Sequence, residues 1–378
     1  MAAAITFHPI SSSTSAFSLR QKLRRDHGKN RSNSIIVCIS EQATSVGFTS
    51  IKTQTLDPKP VTNTVRSFAP ATVANLGPGF DFLGCAVDGL GDYVTVTIDP
   101  SVKPGTLSIS SITGDVGVSK LTNNPLWNCA GIAGIEVMKM LKIRSVGLSL
   151  ELSKGLPLGS GLGSSAASAA AAAVAVNGIF GSPLKKEDLV LACLESEAKV
   201  SGYHADNVGP AIMGGFVLIR SYDPFQMMKL SFPQQTDLLF VLVSPDFEAP
   251  TKKMRAVLPA EVSMKNHIHN SSQASAMVAA VMMGDLKIIG SALSSDVIVE
   301  PKRAALIPGM AGAKRAALDS GAYGCTISGA GPTAVAIVGD AETGKKVADA
   351  IVKAFWEEGR LKSTATITEL DRVGARVV

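Results

Sequence analysis

The sequence has few charged residues, few cysteines and no long apolar run, and each shortage excludes a class of protein. Charged residues make up 18% of the 378 residues and hydrophobic residues 46%, which is enough apolar material for packed cores and excludes a fully disordered chain. The longest uncharged apolar run, Ala166 to Val176, is mostly alanine and falls short of the ~20 residues of a membrane helix. Five scattered cysteines without a Cys-x-x-Cys pair argue against a disulfide scaffold or a zinc site.

The net charge of +5 is concentrated at the start of the chain. Residues 1–50 hold six basic and two acidic residues, which leaves 30 basic and 29 acidic residues in the rest. A nucleic-acid-binding protein would keep a basic face throughout its folded part. The charge distribution therefore predicts no nucleic-acid partner, and the absence of a long apolar run predicts no membrane partner.

The first fifty residues have the composition of an organelle transit peptide. They contain ten serines, almost no acidic residue and a start rich in alanine, and the segment Ile36 to Ile39 resembles a plastid processing site. A secretory signal would need a charged start followed by a continuous apolar stretch, and neither is present. We predict a transit peptide and leader over residues 1–50 and a location in the chloroplast stroma; a mitochondrial transit peptide and a disordered tail are the alternatives.

The rest of the chain interleaves predicted helices and strands, and its length suits two domains. Strands are predicted at 61–69, 94–98, 148–154, 212–220, 238–243, 325–328, 333–338 and 364–370, and helices at 124–142, 187–200, 252–258, 266–283, 302–320 and 343–357. An Ala-rich helix is also predicted after the Gly-rich segment, with its end at Asn177-Gly178. Pro224 and Pro233 bracket the expected junction. We therefore predict an α+β fold with domains over residues 61–225 and 226–378.

One Gly-rich segment carries the strongest functional signal. Residues 156–167 read LPLGSGLGSSAA, follow a predicted strand and open the Ala-rich helix. Glycines at alternate positions let backbone N–H groups approach a ligand closely, and the helix N-terminus adds its own unsatisfied N–H groups. The segment lacks the lysine of a Walker A loop and the spacing of a dinucleotide-binding loop. It favours binding of nucleotide phosphates, with Ser164 and Ser165 near phosphate oxygens or magnesium; a structural turn is the alternative.

This segment resembles the ATP-binding motif of the galactokinase, homoserine kinase, mevalonate kinase and phosphomevalonate kinase (GHMP) superfamily. Two further motifs of that superfamily accompany it in order, PATVANLGPGFD at 70–81 and TISGAGPT at 326–333. The resemblance covers roughly residues 61–378 and implies two lobes, an N-terminal nucleotide-binding lobe and a ferredoxin-like C-terminal lobe, with the active site between them. The implied ATP-binding residues are Pro157, Leu158, Gly159, Ser160, Gly161, Leu162, Gly163, Ser164, Ser165, Ala166 and Ala167.

Details of four segments resemble the homoserine kinase family in particular, and the leader resembles its plant members. The segments are NLGPGFD at 75–81, HADNVGP at 204–210, TKKMR at 251–255 and EPKR at 300–303, where Lys302 stands at a position that is often Tyr. The implied reaction is ATP-dependent phosphorylation of the L-homoserine hydroxyl to O-phospho-L-homoserine, which feeds threonine and, in plants, methionine synthesis. The implied substrate-binding residues are Asn75, Asp81, His204, Asn207, Thr251, Arg255, Arg303 and Gly329.

The resemblance also implies roles for individual side chains. The two arginines, Arg255 and Arg303, would bind the substrate carboxylate, for which a planar guanidinium is well shaped. Asp81 would bind the substrate ammonium group. The second Gly-rich turn, residues 329–331, would approach substrate or phosphate, unless it only packs against the first lobe.

The implied catalytic residues are Ser164, Glu197 and Asp206. Magnesium would be held by Ser164 or Ser165 and by an upstream glutamate. Glu197 lies seven residues before His204, one fewer than the family spacing, and Glu195 is the alternative ligand. Phosphoryl transfer depends mainly on positioning and charge neutralisation. Asp206 is a candidate general base, although the hydroxyl proton could instead pass to the phosphate itself.

Three functions stay open at this point. They are an ATP-dependent homoserine kinase, another small-molecule kinase of the superfamily, and a ligand-binding regulator that kept the fold but lost catalysis. The Gly-rich loop, Glu197 and the paired arginines oppose the third. The resemblance is compatible with a homodimer, for which the sequence itself offers no interface pattern.

Overall fold

Two sheets and their helices form the described part of this computed structural model, residues 57–114, 117–200 and 202–378, within one compact unit. The predicted transit peptide lies outside the described residues. The strands are β1 (Thr64–Ala74), β2 (Leu83–Ile98), β3 (Leu107–Gly114), β4 (Leu148–Lys154), β5 (Phe216–Tyr222), β6 (Phe225–Leu230), β7 (Leu239–Pro245), β8 (Gly324–Ile327), β9 (Ala334–Val338), β10 (Ser363–Glu369) and β11 (Arg376–Val377). The helices are α1 (Cys129–Leu141), α2 (Ser164–Ile179), α3 (Lys186–Val200), α4 (Val208–Met213), α5 (Thr251–Ala256), α6 (Met264–Met283), α7 (Leu286–Leu293), α8 (Glu300–Ala304), α9 (Met310–Asp319) and α10 (Ala341–Gly359).

The first sheet has seven strands in the order β11-β1-β2-β4-β3, and β5 pairs with the start of β2 and with β6. Only β3 and β4 run parallel, because α1 connects them as a crossover helix. The register of β1 against β2 shifts between Pro70 and Ala71, where proline cannot donate a ladder hydrogen bond. The strands next to this bulge contact the Gly-rich segment, since Thr72 N–H donates to the Leu162 carbonyl at 3.1 Å.

The Ala-rich helix α2 packs against β1 and β2 on one side and against α1 and α3 on the other. Its alanines at 166, 167, 169–173 and 175 are fully buried. Alanine keeps the helix backbone close to both layers, and a larger side chain here would cost about 1–3 kcal/mol through overpacking. The run that is too short for a membrane is therefore a core helix, and no helix in the described ranges is long and apolar enough to cross a bilayer.

The second sheet is antiparallel, with the order β10-β7-β9-β8. The chain order of its strands, with helices after β7 and after β9, is the ferredoxin-like arrangement. Helices α9 and α10 cover one face, where residues such as Ile351 and Phe355 are fully buried. The α+β, two-lobed fold class is confirmed.

Local structure departs from the sequence predictions at several places, and β3, β6 and α7 correspond to no predicted element. Ile212 and Met213, predicted to begin the strand over 212–220, end helix α4 instead, and β5 begins only after the Gly214-Gly215 pair, both with φ near 70°. The predicted helix over 302–320 is two helices, because the Pro308-Gly309 pair interrupts it. Pro224 lies in the turn between β5 and β6. The division into domains near residue 225 stays a prediction, since β6 and β11 both belong to the first sheet.

Candidate active site

The Gly-rich loop connects β4 to α2 and lines a cleft of about 290 Å³. Three glycines of the loop have left-handed backbone conformations, with φ of 66° at Gly159, 83° at Gly161 and 66° at Gly163. A Cβ atom on Gly161 would lie 2.5 Å from the Ser328 carbonyl oxygen, and one on Gly163 would lie 2.0 Å from Thr72 Oγ1. These two positions therefore exclude any side chain, both by conformation and by space.

The loop's carbonyl groups are bound by protein donors. Thr333 Oγ1 donates to the Ser160 carbonyl at 2.7 Å and Ser328 Oγ donates to the Gly161 carbonyl at 2.7 Å. Both donors belong to the TISGAGPT segment, so the third motif braces the first turn of the loop from behind. Engaged carbonyls do not repel an anion, and helix α2 begins without a side-chain cap, which leaves its first N–H groups for a ligand.

The two serines that open α2 differ in orientation. Ser164 is buried, donates its hydroxyl hydrogen to the Leu156 carbonyl at 3.1 Å and accepts from Lys154 Nζ at 2.7 Å. Ser165 is only partly buried and donates to Glu197 Oε1 at 2.8 Å. The Ser164 hydroxyl is thus bound to buried groups of the protein, whereas Ser165 and Glu197 form a hydrogen-bonded pair on the cleft wall.

The two candidate glutamates on α3 point in different directions. Glu197 lines the cleft and is buried, whereas Glu195 is exposed and is absent from the cleft wall. In the described ranges, no group of three or more His, Cys, Asp or Glu side chains is arranged to hold a metal ion. A metal at Glu197 would therefore need oxygen ligands from Ser165 and from a bound phosphate as well.

The far end of the cleft carries a paired aspartate and arginine. Arg255 on α5 donates from Nη1 and Nη2 to the two carboxylate oxygens of Asp81 at 2.9 and 2.8 Å, and this hydrogen bonding raises the Arg255 pKa. Arg255 Nε is buried and has no hydrogen-bond partner among the described residues. The guanidinium groups of Arg255 and Arg303 lie 5.1 and 4.9 Å from the centre of the Phe80 ring. The ring therefore holds both cations at the cleft wall.

Arg303 is buried beside this pair. Its Nε donates to the Met254 carbonyl at 3.2 Å and its Nη1 donates to the Gly329 carbonyl at 2.9 Å. Burial, together with the nearby Arg255 charge, lowers the Arg303 pKa to about 10, which leaves the side chain charged at neutral pH. Asn75 Nδ2 donates to the same Gly329 carbonyl at 2.9 Å. The second Gly-rich turn therefore anchors the acceptor end of the cleft as well as bracing the loop.

The HADNVGP segment contributes three residues between the two ends. Asp206 is buried, and that burial, with repulsion from Asp81 and Glu197, raises its pKa to about 7. Asn207 Oδ1 accepts a hydrogen bond from Thr72 Oγ1 at 2.8 Å, while His204 lies partly exposed on the cleft wall. A general base works best with a pKa near the operating pH, and the Asp206 pKa of about 7 meets that condition.

The cleft brings most of the predicted site residues together. Those that line it are Asn75, Asp81, Gly159, Ser160, Gly161, Gly163, Ser164, Ser165, Glu197, His204, Asp206, Asn207, Thr251, Arg255, Arg303 and Gly329, together with Leu158. Four members of the predicted ATP-binding segment do not line it, namely Pro157, Leu162, Ala166 and Ala167. Pro157 is exposed and the other three face the core, because a strand–loop–helix segment presents only part of its residues to one side.

The cleft also contains residues that the sequence reasoning missed. An apolar end is lined by Leu121, Leu152 and Cys129, whose burial raises the thiol pKa to about 11 and keeps it neutral. Lys154 lies under the Gly-rich loop. A signal for Lys154 was available, because it continues the buried alternation of Leu148, Leu150 and Leu152 along β4.

Comparisons with known proteins agree with this geometry. The family model for the N-terminal domain of GHMP kinases matches residues 132–215, and the model for the C-terminal domain matches residues 276–358. A crystal structure of homoserine kinase from Cytophaga hutchinsonii superposes with a TM-score of 0.78 at 38% identity, covering 85% of this chain and 99% of that one. Fold and cleft together define a small-molecule kinase of the GHMP class.

Two curated relatives narrow the class to a family. Homoserine kinase from Arabidopsis thaliana is 68% identical over 323 residues, covering 85% of this chain and 87% of its own. Homoserine kinase from Chloroherpeton thalassium is 40% identical over 321 residues, covering 83% of this chain and 99% of its own. The chain belongs to the homoserine kinase family.

Proposed function

We propose that the chain transfers the γ-phosphoryl group of ATP to the hydroxyl of L-homoserine, giving O-phospho-L-homoserine for threonine biosynthesis and, in plants, for methionine biosynthesis. The observation that carries this proposal is one cleft with an anion-binding loop at one end and a carboxylate–guanidinium group at the other. The first end suits a triphosphate and the second suits a small zwitterion. Family membership supports the same activity.

The nucleotide is expected to lie along the Gly-rich loop. Backbone N–H groups within residues 159–165 would bind the β- and γ-phosphates, since the Ser160 and Gly161 carbonyls are already engaged and the α2 dipole favours negative charge. The apolar end at Leu121, Leu152 and Cys129 would accept the base. Preorganised amides of this kind stabilise transferred charge without a lysine in the loop itself.

The acceptor amino acid would bind where Arg255, Arg303 and Asp81 meet. Its carboxylate would accept from the two guanidinium groups, including the buried Arg255 Nε that has no partner among the described residues. Its ammonium group would lie against Asp81 and its hydroxyl would point towards Asp206 and the loop. Such positioning supplies much of the rate enhancement in phosphoryl transfer.

The site fits magnesium as the cofactor that accompanies ATP. Ser165 and Glu197 offer a hydroxyl and a carboxylate 2.8 Å apart on the cleft wall, and magnesium typically takes one or two carboxylate ligands with substrate phosphates and water. When bound, the ion supplies positive charge to the β- and γ-phosphates. Ser164 is the less suitable ligand, because its hydroxyl is bound to Leu156 and Lys154.

Two routes for the proton fit the cleft. The homoserine oxygen forms a bond to the γ-phosphorus while the bond to the leaving ADP oxygen breaks. The hydroxyl proton then goes either to the Asp206 carboxylate or to the transferred phosphoryl group. The Asp206 pKa of about 7 supports the first route, because a base with that pKa is partly ionised at neutral pH.

We further propose that the chain acts in the chloroplast after removal of a transit peptide within residues 1–50. The Ser-rich, acid-poor composition of that segment supports this location, and so does the similarity to a plant relative. Fusing residues 1–60 to a fluorescent protein should direct it to plastids. Fluorescence confined to the cytosol or to mitochondria would contradict the proposal. The homodimer stays a prediction that light scattering can test.

A coupled assay of ADP release tests the activity directly. Purified protein lacking residues 1–56 is supplied with MgATP and with L-homoserine, mevalonate, galactose or L-threonine, and the product is identified by phosphorus NMR. Homoserine should give rapid turnover and the others little. Turnover of mevalonate or galactose in place of homoserine would assign another GHMP activity, and binding of ligands without turnover would favour a regulator.

A further inference from the structure

A buried ion pair lies directly beneath the Gly-rich loop. The side chains of Lys154 and Asp92 form a salt bridge and are 3% and 0% exposed. Lys154 Nζ also donates to the Ser164 carbonyl at 2.9 Å, to Ser164 Oγ at 2.7 Å and to Ser168 Oγ at 2.9 Å. Ser168 Oγ in turn donates to Asp92 Oδ2 at 2.7 Å. The pair is thus fully connected to the first turn of α2.

The same pair reaches the other end of the loop. Asp92 Oδ1 accepts hydrogen bonds from the backbone N–H groups of Gly155 at 3.0 Å and Leu156 at 3.2 Å. A Cβ atom on Gly155 would lie 2.2 Å from the Gly91 carbonyl oxygen, so the loop enters tightly against the bulged part of β2. Asp92 therefore holds the entry of the loop, and Lys154 holds its exit at Ser164.

Neither packing nor helix stability accounts for a lysine at this position. The preceding residues on the same face of β4, Leu150 and Leu152, are buried and apolar, and replacing a buried ion pair by apolar residues is often neutral or stabilising. A positive charge beside the N-terminus of α2 opposes the helix dipole, which favours anions there. The contacts of the pair instead concentrate on the two ends of the loop, which would present its N–H groups to a bound anion.

We propose that Lys154 and Asp92 are positioning residues for the nucleotide, which fix both ends of the phosphate-binding loop and turn the Ser164 hydroxyl inward. The inference deepens the proposed function and rests on it. Removing the pair should weaken binding of the nucleotide far more than binding of homoserine. A merely structural pair would lower thermal stability and leave the ratio of the two affinities unchanged.

The test compares MgADP affinity by calorimetry and KM for ATP and for homoserine in wild type and in four variants, one of which combines the other cleft substitutions. The double variant Lys154→Met/Asp92→Asn removes both charges, so that no unpaired buried charge remains. Ser164→Ala keeps the pair but removes its hydroxyl link to the loop. Arg376→Met is the matched control, because Asp371 outside the cleft has the same arrangement, accepting from Val373 and Gly374 N–H groups and pairing with Arg376.

We expect the double variant to raise the MgADP Kd and the ATP KM about tenfold or more, because the loss of one charge-assisted hydrogen bond has an effect of that size. The homoserine KM should change less than about twofold. Ser164→Ala should act in the same direction, and adding it to the double variant should have little further effect. Arg376→Met should leave both affinities unchanged. A folded double variant with the wild-type MgADP Kd would overturn the proposal, and if it fails to fold, an unchanged Kd for Ser164→Ala would do so.

These outcomes separate the inference from the proposed function. Wild-type protein that binds MgADP but does not phosphorylate homoserine would refute the activity, while the Kd comparison would still decide the role of the pair. Wild-type turnover of homoserine with an unchanged Kd in the variants would refute the pair's role alone.

Discussion

Asp206 gives a prediction whose sign and size follow from its burial. Its pKa is raised to about 7 in the folded chain, whereas the pKa of an aspartate in an unfolded chain is about 3.9. Below about pH 4 both states carry the proton. As the pH rises towards 7, the folded state keeps a proton that the unfolded state has lost, so the stabilising contribution of the neutral group declines and is gone above pH 7.

The full penalty of holding the ionised carboxylate at high pH is about 4 kcal/mol, from roughly three pKa units at 1.36 kcal/mol each. Asp206→Asn removes that penalty. The stability of the variant relative to wild type should therefore grow by about 1.4 kcal/mol per pH unit between pH 5 and 7 and stay level above 7. Any pH-independent effect of the amide shifts the whole curve without changing this slope.

Urea unfolding of both nucleotide-free proteins at pH 5, 6, 7 and 8 measures the difference. Asp99→Asn is the control, because hydrogen bonds with Ser101 lower the Asp99 pKa and so place its titration below this window. A stability difference between Asp206→Asn and wild type that does not vary from pH 5 to 8 would refute the raised pKa.

Kinetics test the same carboxyl group in its proposed role as general base. If Asp206 is the base, log kcat/KM of wild type should rise as the pH increases through about 7, and Asp206→Asn should lower kcat at least about a hundredfold. A loss of only a few-fold would assign the proton to the phosphate.

Three further predictions concern the two ends of the cleft. Glu197→Gln should lower kcat and raise the magnesium concentration required for half-maximal activity, while Glu195→Gln should do neither. Activity measured against magnesium concentration for both variants tests this, and the same response in both would contradict it. Ser328→Ala frees the Gly161 carbonyl and should raise the ATP KM about five- to tenfold with little change in homoserine KM, as one lost hydrogen bond allows; equal changes in both would contradict the brace. Arg303→Lys should raise the homoserine KM about 10- to 100-fold and leave the ATP KM unchanged, because lysine cannot replace the planar guanidinium. Steady-state kinetics with each substrate varied measure both constants, and a raised ATP KM with an unchanged homoserine KM would contradict the prediction.

The site residues that could be predicted from the sequence lie in contiguous segments with a recognisable local pattern. In the Gly-rich segment, the glycines and the start of the helix fall within twelve residues. The alternation of β4 and the alanine run of α2 fix their elements because local pattern and burial agree. The resemblance then connected distant segments, such as those of Asp81 and Arg255, that no local pattern relates.

What escaped prediction depends on tertiary contacts. The alternation along β4 places Lys154 on the buried face, but no local pattern connects it with Asp92, which lies 62 residues earlier in the chain. The inward turn of Ser164 and the outward turn of Ser165 depend on hydrogen bonds to Leu156 and Glu197, which the identical residue types cannot reveal. The strand predicted over 212–220 begins inside helix α4, because a short buried apolar segment can form either a helix or a strand by its pattern alone.

A crystal structure with L-homoserine and a non-hydrolysable ATP analogue tests the account most directly. We expect the triphosphate to bind to backbone N–H groups within residues 159–165. The homoserine carboxylate should lie between Arg255 and Arg303, with the homoserine hydroxyl facing the γ-phosphorus. A triphosphate bound elsewhere, with those N–H groups contacting only protein, would contradict it.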